Sequence, residues 1–436
     1  MTLVRVSLAR ACVYWVVVGL AVVAFWRGAS VHAAAVNHTT GKDQGAYLAL
    51  AGRVARSHGV EVDGARPPLY PALLTLAWRA GTDRQSFFLR ARTLTVVLAT
   101  LAWLAFLFVL RRRLRALTAL AVWLALGFSL WIFYAPYVKA ESLFFPCATA
   151  SFLLLLEQIQ RPRYRTACVA GLVSGVAQLL KASLAPALWL FVGVQGLLVV
   201  RTFVTSRSLR EPRARRRIAS TALLFATFFV VLLPYAVANT RVFGRPFYNV
   251  NSDFYLWNDS WADTRRSTRG KGDRAGFPQL PPSKLPSAER YFRSHGAADV
   301  LARLERGAVG LGDQAVHGPG FLQITSFALL LAFGLFALQR SWRRTLRVAW
   351  PLALYAGSYF GGYLLLYCWF YAINPGLRFV AALFGPALFL AGCVADRASS
   401  RNARWAWAFP ALLVSSLLVA APTIMTFLRR WAGAGW

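Results

Sequence analysis

Apolar runs near twenty residues long, separated by short polar links, follow one another along most of this 436-residue chain. A helix needs about 20 such residues to cross the hydrocarbon layer of a bilayer. The runs predict spans near 11–31, 87–110, 116–135, 138–158, 166–180, 183–200, 218–239, 319–338, 348–370, 376–395 and 406–428. That is an all-α polytopic membrane protein with about 11 transmembrane helices, and positions 1–436 form one integral membrane domain. The stretch 166–200 is too long for one upright helix. Lys181 divides it, because an ammonium is costly at the bilayer centre but tolerated at a helix end, and Pro186 starts the next helix. The first run, Cys12 to Phe25, follows Arg5 and Arg10 as a signal peptide would. Trp26 and Arg27 stand where small cleavage-site residues would be needed, so it reads as a retained span.

Two polar stretches are too long to be simple links. Within 32–86, apolar Tyr47, Leu48, Leu50, Ala51 and Val54 recur at helical spacing after Asp43, predicting a short amphipathic helix over 43–57 lying on the membrane. Residues 69–80 are apolar but too short to span and are read as interfacial too. The second stretch, 241–318, contains Asn251-Ser252-Asp253-Phe254-Tyr255-Leu256-Trp257-Asn258-Asp259, then Pro278, Pro281, Pro282 and Pro286, then a predicted helix across 297–306. Long loops of this kind in compact domains are usually lids or binding surfaces.

Composition supports the membrane class: 57% of residues are hydrophobic and the mean hydropathy is +0.48. The net charge of +33 would suggest nucleic acid on a soluble protein. Here the arginines gather in links: Arg111, Arg112, Arg113 and Arg115; Arg161, Arg163 and Arg165; Arg207, Arg210, Arg213, Arg215, Arg216 and Arg217; Arg340, Arg343, Arg344 and Arg347; Arg397, Arg401 and Arg404. These clusters recur after every second span, as the positive-inside rule requires. With a cytoplasmic N-terminus every cluster is cytoplasmic, while 32–86 and 241–318 face outward. Nucleic acid is therefore not expected as a partner. The five cysteines lie in apolar runs without metal-like spacing and read as small buried residues.

Only 16 acidic residues oppose 49 basic ones, so an acid at the outer mouth is a candidate for chemistry. Asp43 fits two roles: a general base near the membrane surface, or the N-cap of the helix that follows it. Arg66, in Arg66-Pro67-Pro68-Leu69-Tyr70-Pro71, fits either a fixed contact to a lipid phosphate or a snorkelling anchor, with the prolines stiffening the backbone. Lys181 falls at an outer helix end. So does Arg378, after Ile373-Asn374-Pro375-Gly376-Leu377, and together these cations suggest an anionic substrate. Glu141 begins a span, where it would pair with Lys139, face the helix dipole, or hold a cationic group of the site. His32 and His38 with Asp43 give only a sparse metal set. Asn37-His38-Thr39 and Asn258-Asp259-Ser260 are sequons that matter only in a glycosylating compartment.

The order of these motifs resembles the GT-C membrane glycosyltransferases, most closely the branch with the protein O-mannosyltransferases and the lipid A aminoarabinose transferase. The resemblance rests on a first span, then Asp43, Tyr47 and Ala51 as Asp-x-x-x-Tyr-x-x-x-Ala, then Arg66-Pro67-Pro68-Leu69-Tyr70-Pro71. Phe88-Leu89-Arg90-Ala91-Arg92, the Tyr137 to Phe145 segment, Gly175-Val176-Ala177-Gln178-Leu179-Leu180-Lys181, and Asn239-Thr240-Arg241-Val242-Phe243-Gly244-Arg245-Pro246 extend it through most of the chain.

The resemblance implies transfer of a sugar from a polyprenyl-phosphate donor to an acceptor hydroxyl at the periplasmic face of a bacterial inner membrane, with inversion. On matching positions Asp43 is the base and Arg66 the phosphate contact. Lys181 and Arg378 are further phosphate contacts, and Glu141, Tyr47 and Tyr70 complete the substrate site. The acceptor is a lipid, a glycan or a protein. Many members carry a second acid after the aspartate where this chain has Gln44, so no metal or other cofactor is expected. No C-terminal soluble domain follows, leaving 241–318 as the acceptor surface. A transporter or flippase for a lipid-linked or anionic solute is the alternative. Such a protein more often shows inverted repeats and polar or broken helices at mid-membrane, whereas the unusual polar groups here collect at the outer rim. A catalytically dead scaffold is the third reading.

Overall fold

Each apolar run folds as a helix because only a helix satisfies its own backbone polar groups in a bilayer. The structure, a computed structural model, describes residues 2–35, 42–208, 211–267, 281–317, 342–399 and 405–430, with isolated positions between 329 and 337. Among the described residues there is no strand. The long helices are α1 (Thr2–Ala35), α4 (Arg84–Arg111), α5 (Ala116–Tyr134), α6 (Glu141–Gln160), α7 (Tyr164–Leu180), α8 (Ala185–Ser206), α9 (Pro212–Phe243), α15 (Trp350–Tyr371), α16 (Leu377–Ser399) and α17 (Trp405–Arg430). Short helices α2 (Lys42–Ser57) and α3 (Leu69–Leu74) fill the first polar stretch. The second holds α10 (Val250–Asp253), α11 (Trp261–Ser267), α12 (Ala288–Ser294) and α13 (Ala297–His317), and α14 (Trp342–Val348) leads into α15.

Among the described residues, eight helices are long and apolar enough to cross a membrane. The 17-residue α7 and the tyrosine-rich, 22-residue α15 lie where two more spans are expected. The expected span at 319–338 falls mostly outside the described residues. The chain is a multi-pass, all-α membrane protein. The break at Lys181 is as expected: Lys181 is extended, and Pro186 stands in the first turn of α8. The helix expected across 297–306 is longer, a 21-residue α13. Gly307 and Gly310 do not stop it, because they let its backbone rest on Cys368 and Tyr371 at the end of α15.

Apolar burial drives little association between helices in lipid, so close backbone approach and polar locks carry much of the packing. Gly171 and Gly175 put one face of α7 directly on α9, where an added Cβ would meet the Leu224 carbonyl and Val231. Ser151 of α6 and Ser174 of α7 share a 2.7 Å hydrogen bond. Trp103 of α4 and Trp123 of α5 stack at 3.8 Å, and each indole N–H donates to the other's carbonyl, at 3.0 and 2.6 Å. At the arginine-rich ends, Asp396 of α16 accepts from the Arg115 backbone N–H at 2.7 Å and Thr118 Oγ1 at 2.6 Å, and Arg113 pairs with Glu157 at 2.6 Å.

A second, smaller core lies at the opposite ends. Val62 from the first polar stretch packs with Tyr235 and Phe243 of α9, with Tyr248, Val250, Phe254 and Tyr255, and with Ile373 beyond α15. Arg303 of α13, 1% exposed, sits between the rings of Tyr291 and Trp369 and donates through Nε to the Trp369 carbonyl at 3.0 Å. Asn258, the second sequon residue, is buried there; the Asn37 sequon and His38 lie outside the described residues.

The α7–α9 contact gives a direct test. Gly171→Leu should lower the unfolding temperature in detergent, with overpacking costing about 1–3 kcal/mol. Gly193→Leu, at a site on α8 with no neighbour within 4 Å of the added Cβ, should leave it unchanged. Equal transitions for both variants would show that α7 and α9 do not pack this way.

Candidate functional site

The candidate residues arrive on different elements, and every one of them stands at or near a helix end. Asp43 lies inside the first turn of α2, where a carboxylate also suits the helix dipole. Tyr47 follows one turn later. Arg66 lies between α2 and α3, Glu141 opens α6, Lys181 closes α7, and Arg378 lies in the first turn of α16. Because these termini share one side of the bundle, residues hundreds of positions apart converge.

Their side chains form one ion-pair network. Arg66 donates through Nη2 to Asp43 Oδ1 at 2.8 Å and through Nη1 to Asp63 Oδ2 at 3.0 Å. Arg378 Nη1 stands 3.7 Å from Asp43 Oδ2 and 3.7 Å from Glu141 Oε1. Lys181 donates through Nζ to Glu141 Oε1 at 2.9 Å. Glu141 pairs directly with Lys181, and buried Lys139 adds its charge to the field there. Three carboxylates, Asp43, Asp63 and Glu141, thus face four cations, Arg66, Lys139, Lys181 and Arg378, a surplus of one positive charge among the described residues.

Burial and charge set the ionisation of these groups. Burial pushes the Asp43 carboxyl up, but Arg66 and then Arg378 outweigh it and hold it below the usual carboxylate range. Burial likewise disfavours the Arg66 cation, and Asp63 and Asp43 overturn that effect and raise it above its ordinary value. Burial pulls the Lys181 ammonium down, with Glu141 opposing the shift. The Tyr47 phenol is driven well above its normal value, chiefly by burial, and so remains a neutral hydroxyl. Its ring lies 5.6 Å beneath the Arg66 guanidinium and meets the Tyr70 ring edge-on at 5.1 Å. Tyr70, fully buried in α3, shares a 2.7 Å hydrogen bond with Thr95 of α4. Tyr70 therefore props the site from behind, through Tyr47.

The structure places the candidates Asp43, Arg66, Lys181, Arg378, Glu141, Tyr47 and Tyr70 in one neighbourhood. Asp63, not among the candidates expected from sequence, joins them: its Oδ1 accepts from Ala65 N at 2.9 Å and Arg66 N at 2.7 Å. The signal was present as Asp63-Gly64, an acid before a glycine in a turn that closes on its own carboxylate. Gly64, with φ +69°, supplies the left-handed step this turn requires. Gln44 is 4% exposed and accepts from the Val138 backbone N–H at 2.8 Å, so it ties α2 to the segment carrying Lys139 and Glu141. His32 belongs to α1 and packs near Phe133, Tyr137 and Phe427, with Nδ1 3.2 Å from the Leu428 carbonyl oxygen. No group of three or more His, Cys, Asp or Glu that could hold a metal occurs among the described residues.

No protein-family model and no curated protein matches the chain. Among solved structures it is similar to ArnT from Cupriavidus metallidurans in the apo state, at 15% identity and a TM-score of 0.35, over 94% of this chain and 80% of that one.

A carboxyl held below its unfolded value stabilises the fold above that value, and the contribution is lost as pH falls through the folded one. The unfolding-temperature gap between the parent and Asp43→Asn should therefore stay constant from about pH 5 to 8, corresponding to about 1 kcal/mol for a partly exposed pair, and shrink only below about pH 4. A gap that already closes near pH 6 would contradict the Arg66–Asp43 pairing.

Proposed function

We propose that this protein is a GT-C-type membrane glycosyltransferase. It transfers a sugar from a polyprenyl-phosphate donor to an acceptor hydroxyl at the outer face of a bacterial inner membrane, with the N-terminus in the cytoplasm. The observation that carries this reading is the convergence of Asp43 with Arg66, Arg378, Lys181 and Glu141 at helix ends on the side away from the arginine-rich links. The order of family-like motifs along the chain supports it.

In the proposed step the acceptor oxygen forms a bond to the anomeric carbon as the bond from that carbon to the phosphate oxygen breaks. The acceptor proton passes to Asp43. The lipid phosphate leaves as a monoester, with one more negative charge than the phosphodiester had. Lys181 and Arg378 would offset that added charge, and low dielectric at a buried site strengthens the effect. Arg66 keeps Asp43 ionised and adds its charge to the phosphate subsite. A carboxylate below the usual range is a weak base, which suits glycosyl transfer: with oxocarbenium character in the transition state, the acceptor hydroxyl becomes acidic as its new bond forms. Acceptor entry is assigned to the 241–318 segment, whose Asn249, Val250 and Asn251 hydrogen-bond to the Asp63 to Arg66 turn.

Proteoliposomes with undecaprenyl-phosphate-linked mannose, glucose and arabinose test this directly. Asp43→Asn should fold and bind donor yet lose transfer by about 100-fold or more. Arg66→Ala should weaken undecaprenyl phosphate binding about tenfold, or about 1.4 kcal/mol. Retained turnover in the first variant removes Asp43 from the mechanism, and unchanged affinity in the second removes Arg66 from donor binding. Lipid flip without sugar release would favour a flippase.

A further inference from the structure

Arg66 has two carboxylates within reach, and the way it is divided between them bears on the chemistry. A guanidinium beside a single carboxylate tends to close on it with two parallel hydrogen bonds. Such a pair at Asp43 would engage both carboxylate oxygens and leave neither of them unpaired for an incoming proton. Here Nη2 goes to Asp43 Oδ1 and Nη1 to Asp63 Oδ2, at 2.8 and 3.0 Å. Asp43 Oδ2 is left 3.7 Å from Arg378 Nη1, beyond hydrogen-bond distance.

From this division we infer that Asp63 is a positioning residue, which acts by holding one arm of Arg66 so that Asp43 Oδ2 stays open to the acceptor hydroxyl. Asp63 is built for the role. Its side chain is 13% exposed, and its Oδ1 fixes the Ala65 and Arg66 amides, so the same carboxylate sets both the backbone and the guanidinium of Arg66. The turn is also clamped from the second polar stretch. The Gly64 carbonyl accepts from Val250 N at 2.8 Å, and the Ala65 carbonyl accepts from Asn251 and Asn249 Nδ2 at 3.4 and 3.5 Å. Pro67 and Pro68 are therefore not alone in placing Arg66. Movement of 249–251 on acceptor binding would be transmitted to the base through these bonds.

The inference rests on Asp43 being the base, so its test has one arm that requires turnover and one that does not. Asp63→Asn keeps an amide oxygen for the Ala65 and Arg66 N–H groups but removes the charge that holds Nη1; Asp63→Ala removes both. A structure of full-length D63N in nanodiscs should show Arg66 donating to both oxygens of Asp43. In the proteoliposome assay D63N should lower kcat about tenfold with the donor KM within about twofold, and should lower the unfolding temperature less than D63A does. D63A should raise the donor KM as well, because Arg66 then loses its place. An Arg66 that stays on residue 63 in D63N overturns the inference. So does a kcat within twofold of the parent, or a D63N that unfolds as early as D63A and loses kcat and KM together. Wild-type protein inactive with every donor would instead sink the base reading, while the D63N structure still decides where Arg66 goes.

Discussion

A carboxylate buried at the head of a membrane helix constrains the rest of this structure. Glu141 is 5% exposed, and a buried charge of this kind is tolerated only when paired. Its partners come from elsewhere in the chain: Lys181 from the end of α7, Arg378 from the start of α16, with Lys139 adding to the field. Satisfying it requires α6, α7 and α16 to end at one level. Once they do, Arg378 also reaches Asp43, and the first polar stretch is drawn over the same site. The network thus works as both the closure of the bundle and the candidate reaction centre.

The same arrangement explains why parts of the two polar stretches meet at the site. The turn from Asp63 to Arg66 is held from below by its own carboxylate and from the side by Val250, Asn249 and Asn251. Val62, just before it, is part of the second small core with Tyr248, Phe254 and Ile373. Apolar contacts therefore fix the distance between the two polar stretches at this point, while hydrogen bonds fix the orientation of Arg66. Gln44 completes the frame from the α2 side by accepting from the Val138 backbone. A neutral amide at that position serves as a brace between elements.

Much of this was legible in the sequence for identifiable reasons. Hydropathy periodicity located the long helices because a bilayer leaves few other backbone solutions. Lys181 and Pro186 marked the α7–α8 break, since one is costly inside the bilayer and the other suits a first turn. The acid-poor composition made Asp43 conspicuous. Other features were hidden. Asp63 is not distinguished by its sequence, because its second role depends on where the Arg66 side chain folds back. The pairing of Glu141 with Lys181 and Arg378 depends on tertiary contact, whereas Lys139 lay nearby in sequence and drew attention first. The length of α13 was underestimated because Gly307 and Gly310 resemble stop signals, yet here they permit close approach to α15.

The central claim is that this network handles a lipid-linked phosphate at the outer rim. The most direct measurement is a cryo-EM structure of the full chain in nanodiscs with undecaprenyl phosphate. The account predicts the phosphate within hydrogen-bond distance of Lys181 and Arg378, with Asp43 facing the side from which an acceptor would approach. Lipid phosphate bound elsewhere, with the Lys181–Glu141 and Arg66–Asp43 pairs untouched and no route to them, would contradict it.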